Sequence, residues 1–215
     1  MPTPPAPEPD PDGEVSTSDY ATLAEAIAAV PENGTVVLAS DMTPAEKITI
    51  EKPMEINLNG NTLTLPAVDN NYGMIVKDSL TIHGNGGELD AAGLYGVGLS
   101  ASMKGELIIN GGTYTAPAES SYLIGGFGGK GIVNDGDFTA PYCVINSFDG
   151  YTCSVEINGG TFKLDGTDSD ETAAPLLGIN IVVNGGKFSQ KLPEEYIAEG
   201  CIQVQVGTMW QVLKK

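Results

Sequence analysis

The chain has 215 residues with 28 acidic against 10 basic side chains, a net charge of −18 and a sequence pI near 4.1. A surface that acidic repels phosphate backbones and anionic lipid, which argues against nucleic acid or a membrane surface as partner. Hydrophobic residues at 41% suffice for a core, 28 glycines imply frequent turns, and an odd three cysteines (Cys143, Cys153, Cys201) argue against a disulfide framework.

In chain order, residues 1–14 hold six Pro and four acidic residues. Such a stretch cannot bury a core and favours an extended, solvated chain, so 1–16 reads as a flexible tether. It has no basic start and no apolar centre, so it does not read as an export signal. No apolar run in the chain approaches the roughly 20 residues of a membrane-spanning helix. Residues 17–34 are expected to form an N-terminal capping helix. Thr17 or Ser18 can cap it, Tyr20, Leu23, Ile27 and Val30 fall on one stripe, and Pro31 with Asn33-Gly34 ends it.

From residue 35 the period changes to short apolar strands separated by turn residues. One phrase then recurs: "LIINGGTY" at 107–114, "GIVNDGDF" at 131–138, "VEINGGTF" at 155–162 and "IVVNGGKF" at 181–188, with "INLNGNTL" at 56–63 as a degraded copy. Aligned on the residue that closes each strand, the copies give Asn59, His83 in place of Asn, Asn110, Asn134, Asn158 and Asn184. The steps are 24, 27, 24, 24 and 26 residues. A fixed period of this size specifies a stacked solenoid. Three strand-like pieces recur in each period, which at about 3.3 Å per residue close into a triangular rung. A leucine-rich horseshoe needs a helix or its own leucine pattern in each repeat, and a propeller blade needs about 40 residues; neither fits.

Columns down the stack follow from the alignment. One residue before the Asn stand Leu58, Ile82, Ile109, Val133, Ile157 and Val183; three before it stand Ile56, Leu80, Leu107, Gly131, Val155 and Ile181. Strand alternation puts both columns on the interior face. Past the corner, Leu63, Leu89, Tyr114, Phe138, Phe162 and Phe188 form a third column, whose rings should stack at about 4.8 Å. The ladder residues Asn59, Asn110, Asn134, Asn158 and Asn184 are expected to bond their equivalents in neighbouring coils. The Asn-Gly-Gly phrase is therefore a corner and not a phosphate loop, since a strand and not a helix follows it. Residues 191–215 contain "CIQVQVGTMWQVL", a hairpin around Gly207-Thr208 that should cap the last coil with Trp210. The fold class is thus all-β: one parallel β-helix of about six 24–27-residue coils over 35–190, with a helical cap before it and a hairpin cap over 191–215.

From about Ser18 to Phe188 this pattern resembles the right-handed parallel β-helix of the pectate-lyase-like class. The "INGGTF" phrase and the following "SQKLPEEYIAEGC" resemble β-helical segments of phage structural proteins and of gut-bacterial surface proteins. The resemblance implies the architecture; it leaves lyase, adhesin and viral fibre open, because one fold serves them all. Lyases of this class pair calcium-holding carboxylates with an Arg or Lys base. All ten basic residues here are Lys, so a base would have to be a Lys or His83.

Lys52, Lys77, Lys104 and Lys130 each precede the closing residue of a coil by four to seven positions. They could form a corner row that binds acidic sugars, or simply sit in solvent. Asp165, Asp168, Asp170 and Glu171 crowd a loop that could collect calcium through oxygen ligands, although the EF-hand spacing is lacking. Tyr72, Tyr95, Tyr142, Tyr151 and Phe148 are candidate sugar platforms. His83 lacks a placed carboxylate partner in sequence, and Cys143 would be two coils or more from it, so neither supports a catalytic set. No catalytic residue, metal or cofactor is assigned.

The expectation is a non-enzymatic structural or attachment module. A phage virion accessory protein (head fibre, capsid decoration or tail-associated spike) comes first. A fragment of a bacterial surface or secreted adhesin that binds host glycans is the alternative, and a lyase-like enzyme comes third. The partners expected are virion proteins or cell-surface glycans, with a homotrimer open.

Overall fold

The computed structural model describes residues 13–66, 73–91, 97–101, 105–116, 122–126, 129–147, 153–167 and 170–215. Its strands stack in parallel coils as a β-solenoid of about six turns. The strand segments on both sides of the repeated corner belong to a fourteen-stranded sheet, whose order begins Glu14–Ser16, Thr35–Val37, Met54–Asn57, Ser79–His83, Glu106–Thr115 and Lys130–Ala140. A second sheet stacks Ile48–Ile50, Met74–Val76, Val97–Ala101, Tyr122–Gly126, Cys143–Ser147 and Leu176–Gly178. After the corner, a third strand segment pairs from Thr62–Leu65 through Glu88–Ala91 to Thr161–Leu164 and Gly186–Phe188.

The interior is built by alternation. Ile82, Ile109, Val133, Ile157 and Val183 are in register coil after coil, and none is more than 2% exposed. Leu63, Leu89, Tyr114, Phe138, Phe162 and Phe188 are equally aligned and buried. The four rings stack with centroids 4.8, 4.8 and 4.9 Å apart and planes within 18°. That spacing is the rung spacing of a sheet, so backbone pairing itself sets the ring-to-ring contact. Burial pushes the Tyr114 phenol far above its ordinary value, and its hydroxyl donates to the Gly111 carbonyl at 3.1 Å.

The first coil departs from the expected register. Asn57, and not Asn59, stands opposite His83, so Ile56 and not Leu58 continues the first interior column, with Met54 below Leu80. The cause is corner length. Asn57 to Leu63 and His83 to Leu89 each span two residues more than Asn110 to Tyr114. The extra pair forms a tight turn, Asn59-Gly60 at φ 50° and 75° and Asn85-Gly86 at 45° and 78°. A slip of two preserves the side-chain face, so Leu58 is still buried.

The caps are also refined. The sheet starts at Glu14–Ser16, which pairs with Thr35–Val37, so the tether boundary at 16 is too late. Thr17–Asp19 is a 3-10 turn, and the helix, α1, runs Leu23–Ala29. Thr22 and not Thr17 or Ser18 is its N-cap, because Glu25 three residues on reaches back to complete a capping box. Leu23, Ala26 and Val30 are buried, and Tyr20 and Ile27 pack partly against the core. At the other end, Met209–Lys214 pairs antiparallel with Gly186–Phe188 and with Cys201–Val206, placing Trp210 opposite Phe188. Ile197 bridges Val183, so the final coil is paired on both of these faces.

Candidate functional site

The Asn residues of the repeated corner point outward and bond along the rod. Asn134 donates to Asn110 at 2.8 Å, Asn158 to Asn134 at 3.0 Å and Asn184 to Asn158 at 2.9 Å. An amide suits this position because one Nδ2 and one Oδ1 serve the coils on either side simultaneously. Towards the N-terminus the pattern changes. His83 Nε2 lies 2.8 Å from Glu55 Oε2, and Asn85 donates to Asn57 at 2.9 Å. Asn59, assigned to the ladder from sequence, instead serves the turn, its Nδ2 donating to the Leu38 carbonyl at 3.1 Å.

The Asn-Gly-Gly corner uses its two glycines differently. Gly160 has φ +98°, whereas Gly159 is outside the left-handed region and is required by proximity. A Cβ there would sit 2.6 Å from the Asn134 carbonyl oxygen of the preceding coil. The corners of successive coils touch through main chain.

The lysine row does not assemble among the described residues. Lys77 pairs with Glu51 at 2.7 Å, and Lys130 with Glu106 at 2.8 Å. Lys52 donates to the Ala28 carbonyl at 3.1 Å and also to that of Val30, at the C-terminal end of α1. That cation complements the negative end of a short helix and ties the cap to the first coil. Lys77 holds the Glu51 carboxyl below the usual carboxylate range, mainly through their hydrogen bond, and Glu106 likewise raises Lys130. Glu51, Glu55 and Glu106 were not singled out in the sequence. The signal was present, since each pair is separated by 24–28 residues, which is the coil repeat.

In the acidic loop, Asp165 accepts from the backbone and hydroxyl of Thr167, and Asp170 does the same with Thr172. These bonds hold Asp170 below the ordinary carboxylate range. Each carboxylate serves its own turn, and among the described residues no three His, Cys, Asp or Glu side chains converge to hold a metal. Glu171 is exposed. The Tyr142 hydroxyl bonds Thr172 at 2.9 Å, and its ring meets Tyr122 edge-on at 5.7 Å. Tyr72, Tyr95, Tyr151, Phe148, Lys104 and Asp168 lie outside the described residues.

Cys143, Cys153 and Cys201 are free and buried. Desolvation pushes the Cys143 thiol well above its ordinary value, which makes it a poor nucleophile. A groove of about 590 Å³ separates α1 from residues 42–49, lined by Leu23, Ala24, Ile27, Met42, Pro44 and Ile48 among others. Among the described residues, no helix is long and apolar enough to cross a membrane.

Comparison with protein-family models, with curated proteins and with solved structures returned no match. No match therefore supports the pectate-lyase-like or phage resemblance; what the structure shows is a β-solenoid of about six turns.

Proposed function

We propose that the chain is a non-enzymatic attachment or spacer module, and that it serves as a phage virion accessory protein such as a head fibre, capsid decoration or tail-associated spike. One observation carries the mechanical part of this reading: the ties run along the rod. The ring stack, the Asn ladder and the Lys–Glu pairs each join one coil to the next, and they do not gather around a point. An assembly of this kind resists bending between coils. Nine steps in the fourteen-stranded sheet's principal path make it about 40 Å long. Outward positions are left free to vary as partner surface. The virion assignment rests on the resemblance of the repeated corner phrase to phage structural β-helices.

Immunogold labelling with antibody to the purified protein tests the assignment. Label on purified virions from the source culture supports it. Label confined to bacterial envelopes, together with binding on a glycan array, replaces it with the adhesin reading. Release of unsaturated uronides from pectin or alginate would overturn the non-enzymatic reading altogether.

A further inference from the structure

The interior column that runs through Leu80, Leu107, Val155 and Ile181 lacks a side chain in one coil, at Gly131. Leu107 and Val155 lie directly on either side of it in register and are 2% and 5% exposed. A Cβ built on Gly131 would meet only Val155 Cγ2, at 3.8 Å, which is ordinary contact. Nothing else moves in to fill the gap. An interior cavity remains, in which the centre of a water-sized sphere can range over about 20 Å³.

The walls decide what the cavity can hold. On this measure one water needs about 10–15 Å³, and it also needs about two to four polar partners. Leu107, Ile109, Ile124, Ile145 and Val155 are among the aliphatic side chains here; the polar side chains are the Cys153 thiol and Lys130, whose ammonium is paired with Glu106 at 2.8 Å. That thiol lies 3.0 Å from the Ser147 hydroxyl and is already engaged. Water in this space would forfeit most of its hydrogen bonds, whereas an apolar guest would restore dispersion contacts that the walls lack. Gly131 itself is partly exposed, which gives a guest a way in.

We propose that the Gly131 cavity is a binding site for a single small apolar guest, of the size of xenon or a short hydrocarbon such as cyclopropane. The site belongs to the rod's interior and does not depend on what the rod attaches to. Methyl-labelled protein is titrated with xenon pressure and followed by carbon–proton correlation spectra, with nitrogen at equal pressure as reference. Saturable shifts are expected at the methyls of Leu107, Ile109, Ile124, Ile145 and Val155. Gly131→Val should abolish them. Gly131→Ala, which adds one methyl and keeps the fold if the larger change does not, should weaken them and raise Tm in xenon-free buffer. Shifts that grow linearly with pressure across the whole molecule would overturn the proposal. So would saturable shifts that persist unchanged in Gly131→Ala.

Discussion

Replacing Gly159 with Ala isolates the requirement for close approach between coils. Its φ is outside the left-handed region, so the new methyl brings no backbone penalty of its own; the Asn134 carbonyl oxygen at 2.6 Å is the whole obstacle. That oxygen is main chain within a paired coil and cannot rotate aside as a side chain would. Relief requires the corner to open, which strains the ladder bond of 3.0 Å between Asn158 and Asn134. Overpacking of this kind costs about 1–3 kcal/mol. Gly160→Ala adds a left-handed penalty of about 1–2 kcal/mol, since φ is +98° and the Gly136 oxygen is 2.9 Å away. Gly166→Ala is the control, with φ +79° and nothing within 4 Å, so it carries the conformational cost alone. For a chain of this length 1 kcal/mol corresponds to about 2–4 °C in Tm. Thermal melts should therefore rank the variants Gly160→Ala lowest, then Gly159→Ala, then Gly166→Ala, with Gly159→Ala about 4–8 °C below wild type if the cost is about 2 kcal/mol. A Gly159→Ala protein that melts with wild type refutes the reasoning, because the coil-to-coil contact is the only cost this substitution carries.

Phe162 has a ring on either side at 4.8 and 4.9 Å, so Phe162→Leu should lose two stacking contacts, about 1–3 kcal/mol, read as a lower urea midpoint at unchanged m-value. Lys52→Met removes the cation on the α1 carbonyls, a charge-assisted bond of about 1.5–3 kcal/mol in general, and should accelerate amide exchange within Leu23–Ala29 while leaving Tyr114 and Phe138 protected. Glu51 titrates below its ordinary value in the fold, so its contribution is present above the unfolded carboxylate pKa and is lost as pH falls through the lower folded value. The Tm gap between wild type and Glu51→Gln should accordingly be small at neutral pH, because the pair is exposed, and should close in acid; a gap that widens in acid contradicts the pairing with Lys77.

The architecture was legible because a solenoid repeats its constraints. An aromatic four residues past an Asn in each of four copies leaves one register, and Tyr114, Phe138, Phe162 and Phe188 occupy it. The first corner was misread because Asn is favoured for two physical reasons, while the corner at His83 stands in the expected register. At Asn110 and Asn158 it is an amide in a ladder, whereas at Asn59 it is a residue that tolerates positive φ, and the one-letter code does not separate them. Asn57 carried the ladder position but was followed by Leu58 and so lacked the Gly-Gly cue. Among the described residues the lysine row does not form, for a related reason. Counting back from the closing residue places a Lys within its coil, but charge balance is settled across coils, where Glu51 and Glu106 stand beside Lys77 and Lys130. The capping box was written in the sequence as Thr22 and Glu25, overshadowed by the earlier Thr17 and Ser18.

The alternation that makes the rod also divides its sequence by role. In the strand through the ladder corner, the inward positions Ile82, Ile109, Val133, Ile157 and Val183 are nearly interchangeable. The outward positions between the two interior columns are more varied: Thr81, Ile108, Ile132, Glu156 and Val182 stand in register and mix a hydroxyl, a carboxylate and three aliphatic side chains. The aliphatic members of that row fit a strand by propensity; among them Val182 is 46% exposed, and Ile179 nearby in sequence is 38% exposed. Stacking demands the inward uniformity and is indifferent to the outward variety. On the attachment reading proposed above, the apolar members of the outward row are where a partner that distinguishes one coil from the next would make contact. Val182→Lys should leave stability within about 0.5 kcal/mol of wild type, as surface changes do, while weakening attachment to whatever surface the immunogold experiment identifies. Unchanged attachment would move the contact off this face.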